Sequence, residues 1–363
     1  MKIIQLIQKP QRRGAEIFAA QLSEELRKQG HQVLLVSIFS GEAELPFNGE
    51  WIKLNRPVSN RLFDFLGWRK LSHLVDSFKP DIIQANAADT LKFSVISKRL
   101  FGWRNPIIYR NANQMGDFIR NRLHLKFNNW LLNQVSGIVS VSEASKLDLH
   151  STFELNRIQS EVIPIGIDMT EIDHAIKEDL KINLPEKFLI QIGGLVPEKD
   201  PIGMLDMFAN LIQELPDLHL VYIGTGKLKS QLNDEIDRIE LWERVQVIAA
   251  QENIFPFLSK AKALVLPSKI EGLPGVILEA MYCKIPVVAF GVGGISEVLK
   301  EEETGWCKLP DDNYGFKRAI KEILKSENEL LNKITDKAFN VVMARYSIGD
   351  ITNRFEDFYQ LVK

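Results

Sequence analysis

Glu161-Val162-Ile163-Pro164-Ile165-Gly166-Ile167-Asp168 is the stretch on which the reading of the fold turns. It reads as a short buried strand that ends in turn residues, and the pattern of the chain restarts after it. Upstream, short apolar runs at residues 2–7, 31–38, 81–84, 106–109 and 137–141 alternate with longer amphipathic stretches. Residues 16–28 show the type: Ile17, Ala20, Leu22 and Leu26 are spaced for one helical face, and Gly30 ends it. Downstream, a charged and poorly patterned stretch covers residues 169–184. The alternation then returns, with apolar runs at 188–192, 218–223, 245–248, 263–266 and 286–289. Strands separated by helices of this size predict parallel sheets covered on both faces. The chain therefore reads as α/β, with two Rossmann-like domains and a hinge at residues 164–168. The first domain is 1–167 and the second 168–346. A terminal amphipathic helix, 347–363, carries Phe355, Phe358, Tyr359 and Leu361 and is expected to pack back on the first domain. Ligands of open α/β sheets sit beyond the carboxyl ends of the strands, so the two parallel sheets are expected to face a central cleft.

Composition narrows the function classes. The chain has 363 residues, 45% of them hydrophobic and 25% charged, a globular balance that argues against disorder. A net charge of −2 gives no nucleic-acid signature. Residues 1–165 hold 22 Lys and Arg against 15 Asp and Glu, while residues 166–363 hold 23 against 32, so the two halves are expected to meet different partners. Cys283 and Cys307 are the two cysteines, which favours a reducing compartment. The apolar stretch at residues 1–9 is too short and too interrupted for a signal peptide. No window reaches the roughly 18 apolar residues of a membrane span. These features predict a cytoplasmic protein whose membrane contact, at the inner face of the cell membrane, is peripheral. No His/Cys cluster has metal spacing, so no metal is expected.

The chemistry concentrates in Ser268-Lys269-Ile270-Glu271-Gly272-Leu273-Pro274-Gly275-Val276-Ile277-Leu278-Glu279-Ala280. It follows the apolar run at 263–266. Two glycines and a proline bend the chain, and a helix is expected to start at Gly275 or Val276. The free amides of a helix start suit a diphosphate. Glu271 lies before the turn and Glu279 after it; one carboxylate can point to a sugar while the other accepts hydrogen bonds from ribose hydroxyls. A Glu-x7-Glu spacing alone reads as two surface glutamates around a loop; the preceding strand, the Gly-Leu-Pro-Gly insert and the following helix favour a site.

This stretch resembles the Glu-x7-Glu signature of glycosyltransferase family 4, the retaining group 1 glycosyltransferases with the GT-B fold. Other positions agree in order. Residues 162–168 are similar to the family's interdomain Pro-x-Gly-x-Asp run. Ile192-Gly193-Gly194-Leu195-Val196-Pro197-Glu198-Lys199-Asp200 resembles its Gly-Arg-Leu-x-x-x-Lys-Gly loop. Pro286-Val287-Val288-Ala289 and Val292-Gly293-Gly294-Ile295-Ser296-Glu297 match the strand and glycine pair beyond the signature helix. The resemblance implies a glycosyltransferase with a nucleotide-diphosphate sugar as donor and no required cofactor. It implies that Lys199 contacts the donor diphosphate and Glu271 the transferred sugar, these two being the catalytic candidates. Donor binding then falls to Glu279, Gly14, Gly193, Gly194, Gln251, Leu273, Pro274, Gly275 and Val276.

The first domain matches less closely. Gln11-Arg12-Arg13-Gly14-Ala15-Glu16 resembles the family's Gly-Gly-Ala-Glu loop, with Arg13 in place of the first glycine. The run at 81–86 ends in Gln84 and Asn86 where His-x-His is common, and Arg110-Asn111-Ala112-Asn113 stands where a histidine often does. Gly194 replaces the loop arginine that accompanies Lys199. Acceptor-side candidates are Arg13, Asn86, Arg110, Asn111 and Asn113. Two stretches mix cations with bulky apolar groups: Arg56, Arg61, Leu62, Phe63, Phe65, Leu66, Trp68, Arg69 and Lys70, then Lys98, Arg99, Leu100, Phe101, Trp103 and Arg104. Such mixtures suit an anionic membrane, and a lipid-linked or free glycan acceptor in surface polysaccharide synthesis is the expectation. Two rival readings keep the fold: a nucleotide-sugar epimerase or hydrolase, and a non-catalytic relative that binds nucleotide sugars.

Overall fold

The computed structural model describes residues 1–155, 158–180, 182–326 and 328–363. The chain divides into two compact units, Met1–Gly166 with Ile348–Lys363, and Ile167–Ser347.

Unit 1 is built from β1 (Lys2–Ile7), α1 (Gly14–Lys28), β2 (Gln32–Phe39), β3 (Glu50–Arg56), α2 (Phe65–Phe78), β4 (Ile82–Ala85), α3 (Ala88–Phe101), β5 (Ile107–Asn111), α4 (Arg122–Leu132), β6 (Gly137–Ser140), α5 (Glu143–Thr152) and β7 (Gln159–Val162). The strands form one parallel sheet in the order β3-β2-β1-β4-β5-β6-β7. Burial on both faces is why β1, β4, β5 and β6 read as apolar runs. Helices start on side-chain caps where the sequence supplies them: Asp64 accepts from the Gly67 amide at 3.0 Å, and Ser142 from the Ser145 amide at 3.1 Å.

Unit 2 runs α6 (Met169–Ala175), β8 (Phe188–Ile192), α7 (Pro201–Leu211), β9 (His219–Ile223), α8 (Lys229–Arg238), β10 (Val245–Ile248), α9 (Phe255–Leu258), β11 (Ala263–Leu266), α10 (Gly275–Tyr282), β12 (Val287–Phe290), α11 (Ile295–Val298), β13 (Trp306–Lys308), α12 (Asn313–Lys325) and α13 (Asn328–Arg345). Its sheet is parallel, ordered β10-β9-β8-β11-β12-β13. In both sheets the strand order reverses beside the first strand of the unit, between β1 and β4 and between β8 and β11. Those gaps are the topological switch points where open α/β sheets bind ligands.

The last helix, α14 (Ile348–Val362), belongs to unit 1 and packs along α1, with Phe355 against Phe18 at 5.9 Å between ring centroids. The apolar stretch at 161–168 resolves into two parts. Gln159–Val162 is β7, and the chain leaves unit 1 at Gly166. The stretch at 169–184 that reads as patternless holds the short helix α6, capped by Asp168. Two edge strands, β3 and β13, have no counterpart among the apolar runs of the sequence. Among the described residues no helix is long and apolar enough to cross a membrane.

Candidate active site

The loops after β8 and β11 meet at the switch point of unit 2. Lys199 closes a single 3-10 turn, Pro197–Lys199, after the glycine pair Gly193-Gly194. Its ammonium group pairs with the Glu271 carboxylate, which lies in the β11–α10 loop and is buried. The two loops are also tied through their backbones, the Lys269 amide donating to the Glu198 carbonyl at 2.8 Å. Lys269 Nζ reaches Asp200 Oδ2 at 2.9 Å. Sequence reading named Lys199 and Glu271 separately, and the fold brings them into contact across 72 residues.

Glycines let the loops after β9 and β12 press against those after β8 and β11. A Cβ on Gly224 would stand 1.9 Å from the Gly193 carbonyl oxygen, and one on Gly293 would stand 1.9 Å from the Glu271 carbonyl oxygen. Gly293 is also left-handed, φ +56°. The Gly293-Gly294 pair is therefore the floor on which the Glu271 turn rests, with the Gly294 amide donating to the Gly272 carbonyl at 2.5 Å.

α10 begins at Gly275 with Pro274 as its N-cap, and no side chain caps it. Leu273 and Pro274 are buried, while Gly275 and Val276 are half-buried. An uncapped helix start presents amides and the positive end of the helix dipole, which suits an anion. Glu279 follows one turn later and is half-buried. Burial of the carboxyl, and then the like charge of Glu171 on α6, push its pKa up to about 7. Glu279 thus stands with α6, whereas Glu271 stands with Lys199. Gln251 lies beyond the edge strand β10, its side-chain amide turned back to the Ala249 carbonyl at 2.9 Å. Among the described residues, no group of three or more His, Cys, Asp or Glu is placed to hold a metal ion.

At the switch point of unit 1, Gly14 opens α1 behind Arg13, an N-cap with no capping side chain. A Cβ on Gly14 would meet nothing within 4 Å, so the chain's own packing leaves that space open. Of the acceptor-side candidates, Arg13 and Asn113 are exposed. The other three are buried, and burial removes them from reach. Asn111 donates to the Ser145 carbonyl at 3.0 Å. Asn86 belongs to a closed ring of buried hydrogen bonds. The Gln5 amide donates to the Tyr359 hydroxyl at 3.1 Å, and that hydroxyl to Gln84 Oε1 at 2.6 Å. The Gln84 amide donates to Asn86 Oδ1, and the Asn86 amide to Gln5 Oε1, each at 2.9 Å. Arg110 is 2% exposed, stacks on Phe18 at 4.4 Å, and has its pKa lowered to about 10 by desolvation. Glu16 is buried beside it, its carboxyl pushed up by the same cause and partly restrained by a hydrogen bond from Gln11.

The cation-rich stretches of unit 1 divide. Leu62 and Phe63 are 84% and 72% exposed, and Phe65, Leu66 and Leu100 are exposed beside them, with Phe65 5.6 Å from Phe101. Trp68 and Trp103 are core residues instead. On α4, a third stripe that sequence reading did not single out, Leu123, Phe127 and Trp130, is exposed at helical spacing.

Comparison with known proteins gives the family and the fold. Residues 173–341 match the model of glycosyl transferases group 1, and residues 12–171 match that of Glycosyltransferase Family 4. The chain belongs to the family 4, group 1 glycosyltransferases. Among relatives of this glycosyltransferase, the N-acetyl-alpha-D-glucosaminyl L-malate synthase of Bacillus anthracis is 28% identical over 193 residues, 53% of this chain and 49% of that protein. The N-acetylgalactosamine-N,N'-diacetylbacillosaminyl-diphospho-undecaprenol 4-alpha-N-acetylgalactosaminyltransferase of Campylobacter jejuni is 23% identical over 333 residues, covering 86% of this chain and 87% of that one. Anabaena Alr3699/HepE, solved in complex with UDP and glucose, superposes with a TM-score of 0.81 at 20% identity, over 99% of both chains. The glycosyltransferase thus has the GT-B architecture of two Rossmann-like domains.

Proposed function

We propose that this glycosyltransferase moves a sugar, with retention of anomeric configuration, from a nucleotide-diphosphate sugar to a glycan or lipid-linked glycan acceptor in surface polysaccharide synthesis. The observation that carries the reading is the Lys199–Glu271 contact at the switch point of unit 2, beside the uncapped start of α10. The printed activity of the Campylobacter jejuni relative supports a lipid-linked acceptor, and the ligands of the Anabaena structure support a nucleotide donor.

In this reading the donor diphosphate lies against the Gly275 and Val276 amides and the Lys199 ammonium group. The bond between C1 of the sugar and the phosphate oxygen breaks. The acceptor oxygen bonds to C1 on the same face, and the acceptor's proton passes to the leaving phosphate. Lys199 and the helix amides stabilise the charge gathering on that phosphate, and Glu271 holds both the lysine and the sugar. Loss of one such preorganised donor costs about a hundredfold or more in turnover. Lys199→Ala is therefore expected to lower kcat in a nucleotide-release assay by at least roughly that factor, with its far-ultraviolet circular dichroism unchanged. Near-normal turnover would reject the assignment. Equal nucleotide release with and without acceptor would point to a hydrolase instead.

The acceptor side is assigned to unit 1, whose exposed Arg13 and Asn113 flank the strand ends. The apolar and cationic surface at the start of α2 and the end of α3 is assigned to the membrane that carries a lipid-linked acceptor.

A further inference from the structure

Lys199 is held by more than Glu271. Gln191 of β8 stands directly opposite Tyr222 of β9 in the sheet register. Their side chains are buried, 4% and 0% exposed. Gln191 Nε2 donates to the Lys199 carbonyl at 2.8 Å, and the Tyr222 hydroxyl donates to the Pro201 carbonyl at 2.8 Å. These two carbonyls flank Asp200, whose backbone is left-handed at φ +46°, ψ +54°. A residue with a side chain enters that region at a cost and stays only where its surroundings over-determine it. Here they do: the Asp200 carboxylate caps α7 at Gly203 and pairs with Lys269, while Gln191 and Tyr222 grip the main chain on either side.

Gln191 also carries a cost of its own. Its Oε1 atom is buried without a hydrogen-bond partner. A leucine at this position would remove that unpaired oxygen, though it would also take the donor from the Lys199 carbonyl. What the glutamine supplies and a leucine does not is the bond to the Lys199 carbonyl. Local rules of stability are broken most often where function requires it.

We propose that Gln191 and Tyr222 are positioning residues, a two-rung clamp from adjacent strands that fixes the main chain at Lys199 and thereby where its ammonium group meets the donor phosphate. The proposal rests on the reading of Lys199 as the phosphate-contacting lysine. Lysine is a point charge on a long flexible stem, so its usefulness in the transition state depends on how firmly the root of that stem is held.

The test is a double-mutant cycle on the full chain, with kcat and donor KM measured for Gln191→Leu, Tyr222→Phe and Lys199→Ala, alone and combined. Gln191→Leu is expected to lower kcat/KM by about tenfold or more, since small misplacements of a catalytic group are costly. The loss should fall on kcat, because the lysine acts on charge that develops in the transition state. The melting temperature should fall only modestly, because each substitution leaves one main-chain carbonyl without its donor while the fold survives. Tyr222→Phe, which keeps the ring and removes only the hydroxyl, should act in the same direction. In the Lys199→Ala background either substitution should cost less than about twofold, because coupled residues are non-additive. Equal losses in both backgrounds would assign the pair to folding alone and overturn the clamp. Full activity of Gln191→Leu and Tyr222→Phe beside an impaired Lys199→Ala would overturn the clamp and leave the lysine's role standing. Full activity of Lys199→Ala would overturn both.

Discussion

At the scale of single residues, the proposed ribose contact of Glu279 is expected to link donor binding to pH. Its pKa stands at about 7 because burial disfavours the anion and Glu171 repels it. In the unliganded protein the sign of the linkage is fixed. The folded state holds its proton more tightly than the unfolded state, whose value is 4.5, so this group's stabilising contribution is complete below that value and is lost as pH rises through about 7. Ligand binding works the other way. Two ribose hydroxyls donate better to a carboxylate than to a carboxylic acid, so donor binding should lower the pKa and release a proton near neutrality. Affinity for the intact donor, whose diphosphate does not titrate in this range, should rise between pH 6 and 8, approximate bounds of one unit either side of that pKa. Titration calorimetry in two buffers of different ionisation heat checks this: the heats should differ for the parent protein and agree for Glu279→Gln. Identical heats for the parent would reject ribose contact by Glu279. The motif made Glu271, Glu279 and Lys199 legible in the sequence, since each sits at a fixed offset from a strand end or a helix start. The ring through Gln5, Gln84, Asn86 and Tyr359 was not legible. Its partners lie 81, 275 and 354 residues apart, and each is an ordinary amide or phenol until the sheet aligns them.

At the scale of elements, strands buried on both sides could be read, and so could the edge strand β10, whereas the edge strands β3 and β13 could not. β1, β4, β8 and β11 read as apolar runs, broken only by the buried glutamines Gln5, Gln84 and Gln191, because helices cover both faces. β3 mixes exposed Glu50, Lys53 and Asn55 with buried Leu54, and β13 is three residues long, so neither presents a distinctive pattern. The same limit split the aromatic stretches. Phe63 and Trp68 are five residues apart and alike in type, yet only Trp68 enters the core. What remains outside is informative. Asp64 and Asp89 are the only acids across residues 51–75 and 87–110; both are buried, and Arg56 and Arg61 pair with them. The exposed apolar groups at Leu62, Phe63, Leu66 and Leu100 therefore sit among cations such as Arg69, Lys70 and Arg104, with no acid exposed in either stretch. Each basic residue near an anionic bilayer contributes about 1 kcal/mol, and the apolar groups add to that. Flotation of the protein with vesicles of mixed phosphatidylglycerol and phosphatidylcholine should show binding at low salt. Leu62→Ser with Phe63→Ser should weaken it by about tenfold or more, since fully burying one large apolar side chain is worth about 1.5–3 kcal/mol. No binding at low salt would end the membrane assignment.

At the scale of the molecule, the chain crosses between its units twice, at Gly166–Ile167 and again at Ser347–Ile348, so the last helix completes a unit begun more than three hundred residues earlier. That return is secured by polar contacts as well as apolar ones. Phe355 and Phe358 are buried, as an amphipathic helix requires, but Tyr359 places its hydroxyl at the middle of the buried ring between β1 and β4. A buried ring of this kind is stable only while complete, because each member leaves its neighbour unpaired when it is lost. Tyr359→Phe keeps the ring volume and removes one oxygen, which strips the Gln5 amide and Gln84 Oε1 of a partner each. Each buried group left unpaired costs about 1–3 kcal/mol. Hydrogen exchange should then accelerate in β1, β4 and α14, where the ring is anchored, while β8, β9 and β11 keep their protection because none of their residues belongs to it. Equal acceleration in both units would mean that the C-terminal helix stabilises the whole chain as one cooperative block. No acceleration in either would mean that packing by Phe355 and Phe358 alone holds the helix in place, and that the ring is incidental to it.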